Sequence, residues 1–149
     1  MLSTTHSLAS ALIVSRIPSP FISFPLVIIA HYIMDVIPHW DTGSGLTHGT
    51  KTKKKAIIDT LIDLAVAAMA VFLIFQLGEK FSIKLWSGVI LGFSPDLIEA
   101  PALFLDYRPF PIKQLEEFHN SFHRRLKFPY GLIPQLFLIA IILLIVYFT

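Results

Sequence analysis

The chain has 149 residues, 54% of them apolar and 15% charged, with a mean hydropathy of +0.69. A single soluble domain of that size could not keep so much apolar surface out of water, so the composition points to a helical membrane protein. The absence of cysteine excludes disulfides, thiolate metal sites and cysteine nucleophiles, and a net charge of +2 without interleaved aromatic and basic residues gives no surface for nucleic acid.

Residues 1–15 read as a short helix with Ser3 or Thr4 as its cap. The first basic residue, Arg16, follows the apolar stretch, whereas a signal peptide carries its positive charge before it, so the segment is expected to belong to the mature protein. It is short for a full span, which leaves open a crossing at a thin place, a re-entrant dip, or a position in the interface. Ile17-Pro18-Ser19-Pro20 breaks this helix, and residues 20–37 form the first clear span, with Pro25 inside it. Residues 42–50 are a loop rich in glycine and hydroxyl groups that contains His48. Lys51, Lys53, Lys54 and Lys55 follow it and mark the cytoplasmic side of the neighbouring span.

Residues 56–77 make the next span, with Asp59 and Asp63 four apart in its first two turns, and residues 78–80 turn the chain on the opposite side. A third span begins at residues 81–93, where Gly88 and Gly92 form a small-x-x-x-small pattern suited to packing helices within the chain. Ser94-Pro95-Asp96 is expected to interrupt or kink this span, and residues 97–105 continue it with Glu99 and Pro101 inside. After a proline-rich exit at 107–111, residues 112–127 read as an amphipathic helix carrying Glu116, Glu117, His119 and His123 ahead of the cluster Arg124, Arg125 and Lys127. Residues 128–148 are the last apolar segment. The expected fold is therefore all-α: one polytopic membrane domain, residues 1–149, with four or five membrane segments and one amphipathic cytoplasmic helix. With both basic clusters cytoplasmic, the C-terminus lies outside.

The ionisable residues of the apolar segments fall at one depth. His31 and Asp35 share a helix face near the cytoplasmic end of their span, and Asp59 and Asp63 begin the next. Asp96 and Glu99 approach the cytoplasmic end of the third span, and His119 and His123 precede the last. His6 joins them if the first helix starts on that side. Such residues cost at least about 2.5 kcal/mol each near the bilayer centre and normally face a protein interior, a partner or an ion. No basic residue lies inside a span at the depth of these acids to balance them, so a divalent metal is the simplest counter-charge. Zinc, or else manganese, suits mixed imidazole and carboxylate ligands better than magnesium does. The expected ligands are His6, His31, Asp35, Asp59, Asp96, His119 and His123, with Glu99 or Asp63 as a general base. The loop residues His39, Asp41 and His48 are weaker candidates, and Trp40 reads as an interface anchor.

Thr5-His6-Ser7, His31-x-x-x-Asp35 leading into Pro38-His39-Trp40-Asp41, the Pro95-Asp96 step, and the late His119 and His123 together resemble the LexA-regulated inner-membrane metal-dependent hydrolases. A more distant likeness is to zinc-dependent phospholipase C. The resemblance covers most of the chain. It departs late, where Phe118-His119-Asn120-Ser121-Phe122-His123-Arg124 stands in place of a His-Arg and Thr-His pairing. It implies a helical membrane domain whose metal ligands come from several helices. The expectation is a metal-dependent hydrolase of a lipid or phosphoester at the cytoplasmic face of the inner membrane, with the lysine run and Arg124–Arg125 receiving an anionic head group. The alternatives are a small ion or proton transporter, and a structural membrane protein whose polar residues serve packing alone.

Overall fold

The computed structural model describes residues 1–46 and 49–148. Among these there are six α-helices and no strand, only an isolated parallel bridge between His39 and Arg125. The helices are α1 (Ser3–Arg16), α2 (Pro20–Val36), α3 (Lys53–Val71), α4 (Ile83–Leu105), α5 (Ile112–Phe122) and α6 (Ile133–Phe148). A π-helical turn at Phe72–Gln76 prolongs α3, and a 3-10 turn at Tyr130–Leu132 leads into α6. Three helical stretches, Lys53–Gln76, Ile83–Leu105 and Tyr130–Phe148, are long and apolar enough to cross a membrane, while α2 is apolar but only 17 residues long.

Polarity is distributed inside out. Phe21, Ile29, Leu61, Met69, Phe137 and Leu144 face outward and are each more than half exposed, whereas the buried set is rich in Ser, Thr, His, Asp and Gln. That is the arrangement expected where the outer solvent is hydrocarbon and polar groups must find partners within the protein.

The first helix occupies the middle of the bundle, packed against α2, α3, α4 and α6. Ser3, Thr5, His6, Ser7 and Ser10 are all buried there, and the Ser10 hydroxyl donates to the His6 carbonyl at 2.7 Å. A helix surrounded by other helices needs neither the length nor the apolarity of a lipid-facing span. None of the three placements considered from the sequence anticipated this enclosed position.

α4 closes on α1 through Gly88 and Gly92. A Cβ on Gly88 would overlap Val14, and one on Gly92 would overlap the Ser10 side chain and crowd the His6 carbonyl. These glycines thus bring α4 against α1 within one chain, as their spacing predicted. Of the interruption or kink expected at Ser94-Pro95-Asp96, the interruption is absent, since α4 runs from Ile83 to Leu105. Pro95 removes the N–H that would bond Leu91, but the Ser94 hydroxyl donates to the Leu91 carbonyl at 2.9 Å and replaces it. The amphipathic helix is shorter than expected. It ends at Phe122, and the following strand-like segment is strapped to the end of α2 by Arg124 N–H to the Asp35 carbonyl and His39 N–H to the Arg124 carbonyl, both 3.0 Å.

Candidate metal centre

The centre is assembled where α2 gives way to a loop. His31 and Asp35 lie one helical turn apart on α2's inner face, and Pro38 turns the chain so that His39 returns to the same point. α4 contributes Asp96 and Glu99. α5 contributes His119, and His123, just past its end, is held by its N–H to the His119 carbonyl at 3.1 Å. α1 contributes His6.

On one side of Asp35, His119 Nε2 lies 2.7 Å and His31 Nε2 3.3 Å from Oδ2. The two Nε2 atoms are 3.4 Å apart, and Asp96 Oδ1 is 3.8 Å from His31 Nε2. One ligand atom from each of these four residues lies within 4.8 Å of the others. A tetrahedral zinc ion with bonds of about 2.0–2.1 Å separates its ligands by about 3.3 Å, so the set fits such an ion with shifts of a few tenths of an ångström to about an ångström. On the other oxygen, His39 Nε2 lies 3.6 Å from Oδ1 and meets His123 Nε2, and these three residues form a second converging set. Asp41 Oδ2 stands 3.1 Å from His123 Nε2. The Met1 amine, a cation, also pairs with Asp35 Oδ1.

The far nitrogens of the rings are already engaged. His31 Nδ1 donates to the Gly92 carbonyl at 2.7 Å, His39 Nδ1 to the Ile37 carbonyl at 2.7 Å, and His119 Nδ1 to Glu99 Oε1 at 2.8 Å. Such outer contacts fix the tautomer and aim Nε2 inward, which is how metal-binding histidines are held. His6 is the exception, beside Asp35 but outside both converging sets. It is 1% exposed and stacked on His31 with its Nε2 3.3 Å from Asp35 Oδ1, yet neither of its ring nitrogens has a hydrogen-bond partner among the described residues.

Outside the spans the titrating groups divide. Burial pushes His39 down to about 3, with the Met1 amine and His123 adding to the effect, and burial likewise lowers His123. Both rings are neutral at pH 7 with a lone pair to offer. Burial also works against the charged form of His119, but its hydrogen bonds to Asp35 and Glu99 outweigh that and push it up to about 10. The raised value places a proton between His119 and these carboxylates, a position a metal ion could take instead. Burial opposes ionisation of Asp41 too, yet His123 and Arg125 hold its carboxyl below the usual range.

Of the residues expected from the sequence, His6, His31, Asp35, Asp96, His119 and His123 meet here. His39 and Asp41, ranked as mere loop residues, join them. Two expected participants do not. Asp59 is ion-paired with Lys51 at 2.8 Å and Lys55 at 3.3 Å, away from the cluster. Asp63 accepts from the Ser3 N–H, from the Thr4 N–H at 3.2 Å and from the Thr4 hydroxyl at 2.7 Å, so its oxygens cap α1 and are not free to act as a base. Glu99 faces His119 Nδ1, an orienting position behind a ligand. His48 lies outside the described residues.

Sequence reasoning missed Gln135. Its amide donates to the Trp40 carbonyl at 2.8 Å and the Gly131 carbonyl at 2.9 Å, while its oxygen accepts from the Leu2 N–H at 2.8 Å. It therefore ties the start of α1 and the His39 segment to α6. The signal was a lone amide in an otherwise apolar stretch.

A cavity of about 160 Å³ opens beside the centre, with Asp96, His119 and His123 in its wall. Leu64 of α3 and Leu97 and Leu103 of α4 give it an apolar side, and Arg108 and Arg125 a basic one. Lys53, expected near a head group, is instead paired with Asp106. Buried groups of His and Asp that could bind a metal ion, beside a cavity of mixed polarity, are thus what the helices assemble. Comparison of the chain with protein families, with curated proteins and with solved structures finds no match to any of them.

Proposed function

We propose that the protein is a membrane-embedded, metal-dependent hydrolase of a lipid-borne phosphoester, acting at the cytoplasmic face of the inner membrane. The observation that carries this reading is the set of inward-aimed imidazole Nε2 atoms around Asp35, three of them tethered at Nδ1. We read α2 as a fourth membrane segment and α1 as a fifth, enclosed by the others. The centre lies at the end of the bundle that carries Lys51 to Lys55 and Arg124 to Lys127, which the positive-inside rule assigns to the cytoplasm.

His31, Asp35, Asp96 and His119 would hold the metal, with zinc favoured by the donor set and manganese the second choice. When bound, such an ion supplies Lewis acidity toward a phosphoryl oxygen and lowers the pKa of water toward about 7. The chain's own residues do the rest. Arg108 and Arg125, paired with Glu116 and Asp41, stand on the cavity wall where a phosphate would lie. Leu64, Leu97 and Leu103 provide an apolar wall for the lipid chain. In the reaction a water oxygen bonds to phosphorus, the ester P–O bond breaks, and the proton lost by water passes to the departing alkoxide. Asp96 turns Oδ1 to His31 and His119 at 3.8 Å, so that oxygen would ligate the ion while the second oxygen of this one-third-exposed carboxylate would be left to relay the proton. The resemblance to the LexA-regulated inner-membrane hydrolases supports the metal-dependent hydrolase class and carries no substrate with it.

The test is elemental analysis of protein purified in detergent without added metal or chelator, followed by phosphate release from phospholipid micelles. The expected result is at least stoichiometric zinc or manganese, lost in Asp35→Ala together with turnover. Metal-free protein that hydrolyses nothing after reconstitution with Zn(II) or Mn(II) would overturn the proposal. Metal flux across vesicles without turnover would identify a transporter instead.

A further inference from the structure

We infer that the centre is dinuclear, with Asp35 bridging two divalent cations: His31, Asp96 and His119 hold one on Oδ2, and His39 and His123 hold the other on Oδ1. This rests on the metal-binding reading of the cluster and not on its hydrolytic chemistry. The spacing is the first argument. Residues 31, 35 and 39 follow one another at intervals of four, as do 119 and 123, and each segment gives one imidazole to either side of a central carboxylate. The two converging sets share Asp35 alone. A bridging carboxylate holds two ions about 3.5–4 Å apart, the separation of two-metal hydrolytic sites.

Ligand supply is the second argument. A single tetrahedral ion takes four donors, and His31, Asp35, Asp96 and His119 already provide them. With one ion, His39 Nε2, whose Nδ1 proton goes to the Ile37 carbonyl, would only accept a proton from His123 Nε2, and the two imidazoles that converge on Asp35 beside Oδ1 would ligate nothing. A second ion gives the His39 and His123 lone pairs a common acceptor, and His6, with its Nε2 3.3 Å from Oδ1, is an additional imidazole on that side.

The experiment uses the full chain in detergent, stripped with chelator and dialysed against Mn(II) alone. Two manganese ions per chain and the spin-coupled electron paramagnetic resonance signal of a bridged pair are expected. His123→Ala should retain one ion and give the uncoupled signal of isolated Mn(II), and so should Asp96→Asn, each from the opposite side. Variants are compared only where helicity and elution volume match the parent, and the parent measurement decides the matter without them. One ion per chain, or two without coupling, overturns the bridged pair while leaving a metal centre standing. No ion at all overturns both the pair and the metal-dependent reading above.

Discussion

Glu99 illustrates how a residue's type can be legible while its role is not. A carboxylate in an apolar span signals function, but whether it meets the substrate or stands behind a ligand depends on α4 and α5 meeting at His119, which no local pattern specifies. Its 2.8 Å bond to His119 Nδ1 makes it an orienting group. Glu99→Ala should weaken zinc binding by about 10–100-fold, and Glu99→Gln, which keeps an acceptor but loses the charge, by less, as measured by competition with a chromogenic chelator. A general base would behave otherwise: Gln would abolish turnover with metal affinity unchanged. His31 and Asp35 were readable because four residues make one helical turn whatever surrounds them. His39 and Asp41 were underrated because Pro38 takes them off the helix, and backbone bonds between His39 and the 124–126 segment, distant in sequence, bring His39 to the ring of ligands.

α1 was the element least readable from sequence, since its serine and threonine content is ambiguous until its neighbours are known. Enclosed by four helices, it has its polar face used internally, and its exposed N–H groups need a cap that Leu2 cannot give. Asp63 provides that cap from α3, where it also puts negative charge at the positive end of the α1 dipole. Asp63→Asn leaves one acceptor in place of two and turns an amide toward donors, so a loss of about 1–3 kcal/mol in stability is expected. Thermal unfolding in detergent should register it as a lowered midpoint. Metal binding per folded molecule should survive, because Asp63 touches no member of the centre. Complete loss of turnover at unchanged stability and metal content would return Asp63 to the role of a base. Apolar helices, by contrast, were legible within a few residues, because long runs of Leu, Ile and Phe are continuous in the sequence, and three of them are long and apolar enough to cross a membrane. Pro95 does not interrupt α4, because Ser94 satisfies the carbonyl that the proline abandons.

For the molecule as a whole, the telling feature is the placing of the cavity beside the centre. α3 and α4 each pack on α1 but make little direct contact with one another, and the cavity lies between them, bounded by Leu64 on α3 and by Leu97 and Leu103 on α4. Under the hydrolase proposal, an acyl chain would lie against this apolar wall while its phosphate reached Asp96 and His119. This geometry separates two classes of substrate. Leu64→Trp would crowd the apolar wall of a cavity of about 160 Å³ without touching a ligand. Hydrolysis of a long-chain phospholipid in mixed micelles should fall in kcat/KM by about tenfold or more, about 1.4 kcal/mol of lost transition-state binding. A small water-soluble phosphoester, which has no chain to accommodate, should be cleaved at the parent rate, and metal content should be unchanged. An equal fall for both substrates would mean that the substitution disturbs the centre itself and that the cleft is not the path of the lipid. No change for either would place the lipid elsewhere, for which the basic wall of Arg108 and Arg125, open to water, is the next surface to alter.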